Sequence, residues 1–343
     1  MGSHFISLAK LLFRKIARML AIERFITYDT IMRSENKLRK DIVILVTGAR
    51  GFVGQSLVPL LIEHGHSVRC LMQSEFENGF ENGYVGNLIR KEFVVASIHN
   101  PSGLRKALVG VDTIVHLASA QCNGGWNELM EVDYKGTREL LSAAKEMGIR
   151  RFVYPSHLGS GRSSAYPILK TKGLIEEFVR RSGIPFTIIR SAAIFGSSDQ
   201  FTNTLALLMK SIPWVFPRPG SGKSIRQPIW IGDYTNCVSR LVSDNRFTNE
   251  TIDIGGPEFI TVDRMLTSIM KVVGTRRLLV SVPVVQMRWL VLVLRRLLGS
   301  SSITSNWIDY ISRDCNCEVN SIQRYFGIRP AQFEQAISYL ANN

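Results

Sequence analysis

Residues 42–54 read Ile42-Val43-Ile44-Leu45-Val46-Thr47-Gly48-Ala49-Arg50-Gly51-Phe52-Val53-Gly54. A short, unbroken apolar run followed by three glycines at three-residue spacing is the pattern of a strand buried on both faces that ends in a tight loop. The periodicity over 53–64 then predicts a helix. Strand, glycine loop and helix in this order place unpaired backbone N–H groups at the positive end of a helix dipole, where a pyrophosphate binds. A mere turn accounts for one glycine but not for three.

Outward from this stretch the units repeat. Strands are predicted at 67–72, 93–97, 111–118, 151–156 and 185–195, and helices at 104–110, 127–147 and 168–182. Alternation over 150 residues means an α/β protein with a doubly wound parallel sheet, a Rossmann dinucleotide-binding domain over 41–196. Beyond 196 the pattern loosens. Pro213, Pro217, Pro219, Gly220 and Gly222 mark a long loop, and residues 251–256 read as a late strand. Residues 197–343 are expected to form a smaller, mostly helical lobe, with 227–256 partly returning to the sheet.

The net charge of +14 is local. Residues 1–40 hold nine Lys/Arg against three Asp/Glu, and residues 276–300 hold five Arg and no acid, so these two segments carry 11 of the 14 charges. Both also read as apolar helices. In 5–20, Lys10, Arg14 and Arg18 form a stripe opposite Phe5, Leu8, Leu12, Ile16 and Met19. In 284–298, Arg288, Arg295 and Arg296 accompany Trp289 on a largely apolar helix. The reading is contact with an anionic membrane surface, and the alternative is packing on the protein's own body or a partner. No recognition helix, zinc finger or RNA platform accompanies the basicity, so nucleic acid is not expected. No uninterrupted apolar run reaches the roughly 18 residues of a spanning helix, and Lys10, Arg14, Lys15 and Arg18 interrupt any secretory leader. Five scattered cysteines predict reduced thiols. The histidines show no metal spacing, and no metal is expected. His116 reads as a structural residue near the cofactor edge.

Several segments carry a specific likeness. Thr47–Gly54, the strand end 111–119 (VDTIVHLAS), 152–160 (FVYPSHLGS), 183–196 (GIPFTIIRSAAIFG), 227–234, 251–266 and 325–340 resemble the extended and atypical short-chain dehydrogenase/reductases. They are most similar to the branch containing the Rossmann-fold accessory subunit of respiratory complex I and its bacterial relatives. The resemblance implies a bound nicotinamide dinucleotide held by Gly48, Arg50, Gly51, Phe52, Val53, Gly54, Arg69, Gln73, Ser97 and Ala118. It also implies a catalytic pair, Tyr166 and Lys170, four residues apart, with Ser156 or His157 polarising a carbonyl. The phenol would act as general acid, and the lysine would hold the nicotinamide ribose. The chain departs from the family pattern at Ser97, where Asp contacts the adenine, at Asp133, where Asn is common, and at Ser191, where Pro is usual. An acid at the end of the second strand would select NAD(H), and an arginine NADP(H). Here Gln73 stands with Arg50 and Arg69 nearby, which favours NADP(H) over NAD(H).

Two functions follow. One is a non-turning-over accessory component, peripheral to a membrane at its cytoplasmic face or the matrix or stromal equivalent, docked on a larger respiratory or photosynthetic membrane complex. The other is an NAD(P)H-dependent reductase of a hydrophobic, membrane-resident quinone, isoprenoid or lipid. Asp233 fits either a substrate-lobe position or a helix N-cap.

Overall fold

A computed structural model describes residues 42–73, 91–120, 125–297, 308 and 313–341. The chain divides into two units, residues 1–42 and Val43–Asn343, and the second contains all that follows. The amphipathic stretch 5–20, with Lys10, Arg14 and Arg18, lies outside the described residues.

The first strand, β1 (Val43–Thr47), buries four of its five side chains. It runs through the glycine loop into α1 (Phe52–Glu63). β2 (Ser67–Met72) and β3 (Lys91–Val95) follow, then α2 (Pro101–Leu108) and β4 (Thr113–His116). The Asn100 side chain caps α2 by accepting from Gly103 N, and Pro101 opens the helix where no N–H is needed. The next helix, α3, consists of Trp126–Glu128, a π-helical stretch Leu129–Lys135 and Gly136–Glu146. β5 (Arg151–His157), α4 (Pro167–Arg181) and β6 (Phe186–Ser191) complete the alternation.

The seven-stranded sheet has the order β11-β6-β5-β4-β1-β2-β3, every pair parallel, where β11 is Glu250–Ile254. The doubly wound fold read from the sequence is thus present, and its order reverses between β1 and β4. At such a switch point the flanking connections leave to opposite faces and open a crevice at the carboxyl ends of the strands. Leu45, Ile114, Phe152, Leu104, Leu140 and Val179 pack one core between sheet and helices.

The expected strand 185–195 divides. β6 ends at Ser191, and β7 (Ile194–Phe195) pairs instead with β10 (Ile229–Trp230). A second core, including Phe195, Met209, Phe216, Leu266, Ile269 and Phe333, holds the largely helical C-terminal portion. Its helices are α5 (Gln200–Ser211), α6 (Ile231–Ser243), α7 (Val262–Val272) and α8 (Val284–Leu297), then the short α9 (Ser321–Phe326) and α10 (Phe333–Ala336).

The proline-marked segment is not a loop. β8 (Val215–Pro219) pairs in parallel with β13 (Leu278–Val282), and β9 (Ile225–Arg226) pairs antiparallel with β12 (Ile260–Thr261). Trp214 O accepts from Leu278 N, and Gly220 N donates to Val282 O, so even-numbered residues face the partner strand. Pro217 and Pro219 are odd-numbered and put their missing donors on the outer edge, where nothing is lost. Asp233 is not an N-cap either: α6 begins after Trp230, and the Asp233 carboxylate accepts from Ala331 N at 2.8 Å. Among the described residues no helix is long and apolar enough to cross a membrane. Cys70, Cys237, Cys315 and Cys317 are free thiols.

Candidate functional site: a dinucleotide cradle

Thr47 ends β1, and Gly48 turns the chain with a left-handed backbone, φ 67°. A Cβ on Gly48 would lie 2.7 Å from Ala118 N, so the loop also needs glycine to approach the end of β4. A Cβ on Gly54 would lie 2.5 Å from Gly48 O and 2.6 Å from Ala49, which is how closely α1 packs on its own loop. Gly51 differs: its Cβ would meet only Gly48 O, at 3.2 Å. The first and third glycines therefore set the loop's shape, and the middle one leaves its outer surface bare.

Gly51 is the N-cap of α1, with no side-chain cap and no acid in the first turn. The helix dipole and its free N–H groups, including those near Phe52 and Val53, thus end unneutralised at the crevice. That suits a diphosphate. A cavity of about 460 Å³ opens there, bounded by Thr47–Gly51, Leu71–Gln73, Ala96, Ile98, Leu117–Ala120 and Val132. Its apolar end, Leu71, Ala96, Ile98 and Val132, suits a flat base. Arg50 from the glycine loop and Gln73 at the end of β2 line it, and none of its lining residues is a carboxylate.

Two expected cofactor contacts lie elsewhere. Arg69 sits mid-strand and bonds Glu92 Oε2, Ala107 O and Val109 O, each at 2.7 Å, so its guanidinium is committed away from the cavity. Alternation along the chain points Ala96 and Ile98 inward and leaves Ser97 off the cavity wall, its Oγ accepting from His99 N.

The cavity wall is braced from behind. His116, fully buried at the end of β4, bonds Thr47 Oγ1 at 2.7 Å and Thr137 Oγ1 at 2.8 Å. Thr47 Oγ1 in turn accepts from Ala118 N at 3.1 Å. Burial, with help from the Lys172 charge, pushes the His116 imidazole down to about 3, so it stays neutral. Asp133, in the π-helical stretch of α3, accepts from Ser119 Oγ at 2.5 Å and Ala120 N at 2.8 Å. The buried Lys172 ammonium lies 3.8 Å from its Oδ1 and 5.2 Å from the Tyr154 ring centroid. π-Turns inside helices often mark functional positions, and this one turns Asp133 under the loop 117–120.

Tyr166 and Lys170 stand one turn apart at the head of α4, where Lys170 N donates to Tyr166 O at 2.9 Å. Tyr166 is the N-cap of α4, and Pro167 is the first helical residue. The Arg313 guanidinium stands 5.5 Å over its ring. Lys170 is exposed, 5.9 Å from the Trp126 ring centroid. The lysine turned inward is Lys172, two residues and about 200° further round the helix. Four residues before Lys172 stands Ile168, not a phenol. Ser156 is buried and donates to Glu176 Oε1 at 2.7 Å, within a cluster that Arg180 and Arg190 neutralise. His157 ends β5 and is pushed down to about 3 by burial, then by Lys172 and Arg313. Sequence reading missed Lys172, Arg313 and the bracing role of Asp133. Among the described residues no group of three His, Cys, Asp or Glu could hold a metal ion.

The 3-beta hydroxysteroid dehydrogenase/isomerase family model matches residues 45–166. Photosystem II assembly factor Ycf39 of Cyanophora paradoxa is 30% identical over 152 residues, 44% of this chain and 46% of that protein. NADH dehydrogenase (ubiquinone) 1 alpha subcomplex subunit 9, mitochondrial, of Mus musculus is 25% identical over 219 residues, 63% of this chain and 57% of that protein. The chain spans about half the length of these curated relatives. Among solved structures, the Escherichia coli NADPH-dependent quinone oxidoreductase QOR2 complexed with NADPH has a TM-score of 0.69 at 16% identity, over 87% of this chain and 99% of the other. The epimerase Mth375 of Methanothermobacter thermautotrophicus has a TM-score of 0.69 at 18% identity, over 91% and 95%. These two share the fold. Strand order, glycine cradle and sequence matches agree: the chain has an NAD(P)-binding Rossmann-like fold and is similar to the short-chain dehydrogenase/reductases.

Proposed function

We propose that this chain is a membrane-peripheral, NAD(P)(H)-binding accessory factor of a respiratory or photosynthetic membrane complex, in which the bound dinucleotide stabilises the fold. One observation carries the reading: the cradle is complete, whereas the lysine turned inward on α4, Lys172, has Ile168 where a general-acid phenol would stand. Lys172 is also committed to Asp133 and through it to the cavity wall. On this reading the chain's own groups bind and hold, with Lys172 drawn into the cavity wall and no phenol one turn before it. Two relatives carry names that point the same way, a photosystem II assembly factor and a subunit of a mitochondrial NADH dehydrogenase. Dinucleotide would sit with its diphosphate on Gly48–Gly54 and its base between Ala96 and Ile98. Arg50, with Gln73 in place of an acid, favours NADP(H) over NAD(H).

The second reading, an NAD(P)H-dependent reductase of a hydrophobic membrane substrate, rests on Tyr166 at the head of α4. Purification from native membranes decides between them. The accessory reading expects stoichiometric co-migration with a membrane complex and slow cofactor exchange. If Tyr166→Phe abolishes a measurable NADPH oxidation while a complex stays intact, the reductase reading replaces it.

A further inference from the structure

Large apolar side chains are exposed mainly on one part of the molecule. On the ribbon β8–β13, Val215, Leu278 and Val280 share the outward face, while Phe216 and Leu279 turn to the core. Leu278 is 67% exposed, and Trp214, just before β8, is 82% exposed. Trp214 holds a left-handed backbone, φ 57°, which bulky residues seldom adopt. Pro283 alone separates this ribbon from α8. That helix buries Met287 and Val291 and exposes Val285, Trp289, Leu292 and Val293, at spacings of three and four. Trp289 is 66% exposed. Helical geometry adds the exposed Arg296 to the same stripe. The Arg295 side chain lies outside what is described, and Arg288 is half-buried.

The charge on these segments has one sign. Residues 200–223 and 273–297 hold eight Lys/Arg and no Asp/Glu. Arg218 is neutralised by Asp263, and Arg277 is tied to Met209 O and Ile212 O. Arg276 and Arg296 remain exposed beside the apolar faces. A protein interface commonly sets both signs of charge around its apolar core. These segments offer no acid of their own to pair with a partner's base. The outer edge of β8 carries Pro217 and Pro219, which deny a further strand its hydrogen bonds, whether from a partner or a second copy. Two exposed tryptophans, aliphatic side chains and arginines without acids match the headgroup boundary of an anionic bilayer, where indole rings sit and guanidinium groups meet phosphates.

We propose that the outward face of β8–β13 together with the exposed stripe of α8 is a membrane-docking surface for anionic lipid. The inference builds on the reading of a membrane-side protein above, and it names the face and the lipid chemistry that reading leaves open. It also makes membrane binding a property of the folded unit Val43–Asn343, in addition to anything the stretch 5–20 contributes.

The test uses the full chain carrying Lys10→Glu, Arg14→Glu and Arg18→Glu, which removes the N-terminal basic stripe. Co-sedimentation is measured with vesicles of phosphatidylcholine alone and of phosphatidylcholine with phosphatidylglycerol, and dinucleotide binding serves as the control for folding. This protein is expected to bind the anionic vesicles and to lose that binding at high salt. Trp214→Ser with Trp289→Ser lowers partitioning ~100-fold, the effect of removing two large buried anchors. Arg276→Gln with Arg296→Gln lowers it ~30-fold on anionic vesicles and leaves neutral vesicles unchanged. Binding within twofold after the tryptophan substitutions, or equal binding to both vesicle types, overturns the inference. Co-purification with a membrane complex without any vesicle binding also overturns it and assigns the face to protein, while the accessory function stands. Vesicle binding with no complex partner leaves this face assigned and removes the accessory function.

Discussion

Replacing Gly54 by alanine separates the cradle from an ordinary helix start. In a helix interior alanine is favoured over glycine by about 1 kcal/mol, so the change would stabilise α1 wherever space allowed. Here the new Cβ would stand 2.5 Å from Gly48 O and 2.6 Å from Ala49, both backbone. Relief requires the loop and helix to part by ~1 Å, and such overpacking costs ~1–3 kcal/mol. The net effect on stability is therefore small, between about 0 and 2 kcal/mol lost. The effect on binding is larger. A ~1 Å shift misaligns the N–H groups at the head of α1, and each charge-assisted hydrogen bond lost costs ~1.5–3 kcal/mol. One or two such losses lower dinucleotide affinity ~100-fold. Gly51→Ala is the contrast: its single neighbour is at 3.2 Å and its backbone (φ −69°, ψ 168°) accepts alanine. That variant should melt as the parent does and still bind weakly, because its methyl group covers the bare surface. NADPH fluorescence titration and thermal unfolding of both variants supply the readout. A Gly54→Ala protein that binds NADPH within threefold of the parent refutes the assignment of the loop.

Three further outcomes are expected. Lys172→Met should destabilise the protein by ~3 kcal/mol, because it leaves the buried Asp133 charge without its partner; Lys172→Met with Asp133→Asn should recover part of this in chemical denaturation, and additive losses would show the two groups are not coupled. The His116 imidazole is lowered from 6.5 to about 3 in the folded protein. Below pH 6.5 the unfolded chain therefore binds a proton that the native protein refuses. This residue's contribution is intact above that value and falls by about 1.4 kcal/mol per pH unit towards pH 3. At pH 5 the loss is ~2 kcal/mol, and His116→Gln should flatten that part of the stability profile; an unchanged slope would mean that His116 titrates normally. Finally, Arg50→Ala should weaken NADPH binding ~10-fold and leave NADH unchanged. Equal losses for both would place Arg50 on the shared diphosphate instead of the 2′-phosphate.

The parallel sheet was legible because a strand covered on both faces is largely apolar, and residues 42–46, 114–115 and 152–154 are short runs of that kind. The cradle was legible for a related reason: close backbone approach admits only glycine. The expected catalytic pair falls on a helix boundary. Tyr166 and Lys170 have the spacing of one helical face, and Tyr166 caps α4 where Pro167 starts it. A signal for Lys172 was present. Lys172 and Glu176 interrupt the stripe Ile168, Leu169, Ile175 and Val179, and charges on an inward face need buried partners. Those partners, Asp133, Ser156 and Arg190, come from other elements and have no local trace in the sequence. Arg69 was misplaced because proximity in sequence to the end of β2 does not show which carbonyls a long side chain will reach. The proline-rich β8 was hidden because proline weighs against a strand unless its missing donors face the free edge.

The proposed accessory role requires that this protein hold a dinucleotide for structure without turning it over. Single-turnover mixing of the purified complex, with NADPH bound, against quinone and aldehyde acceptors tests this most directly. The account predicts no loss of bound NADPH absorbance over the time in which the cofactor exchanges, in both the parent and Tyr166→Phe. Oxidation of the bound cofactor in the parent that Tyr166→Phe removes would contradict it.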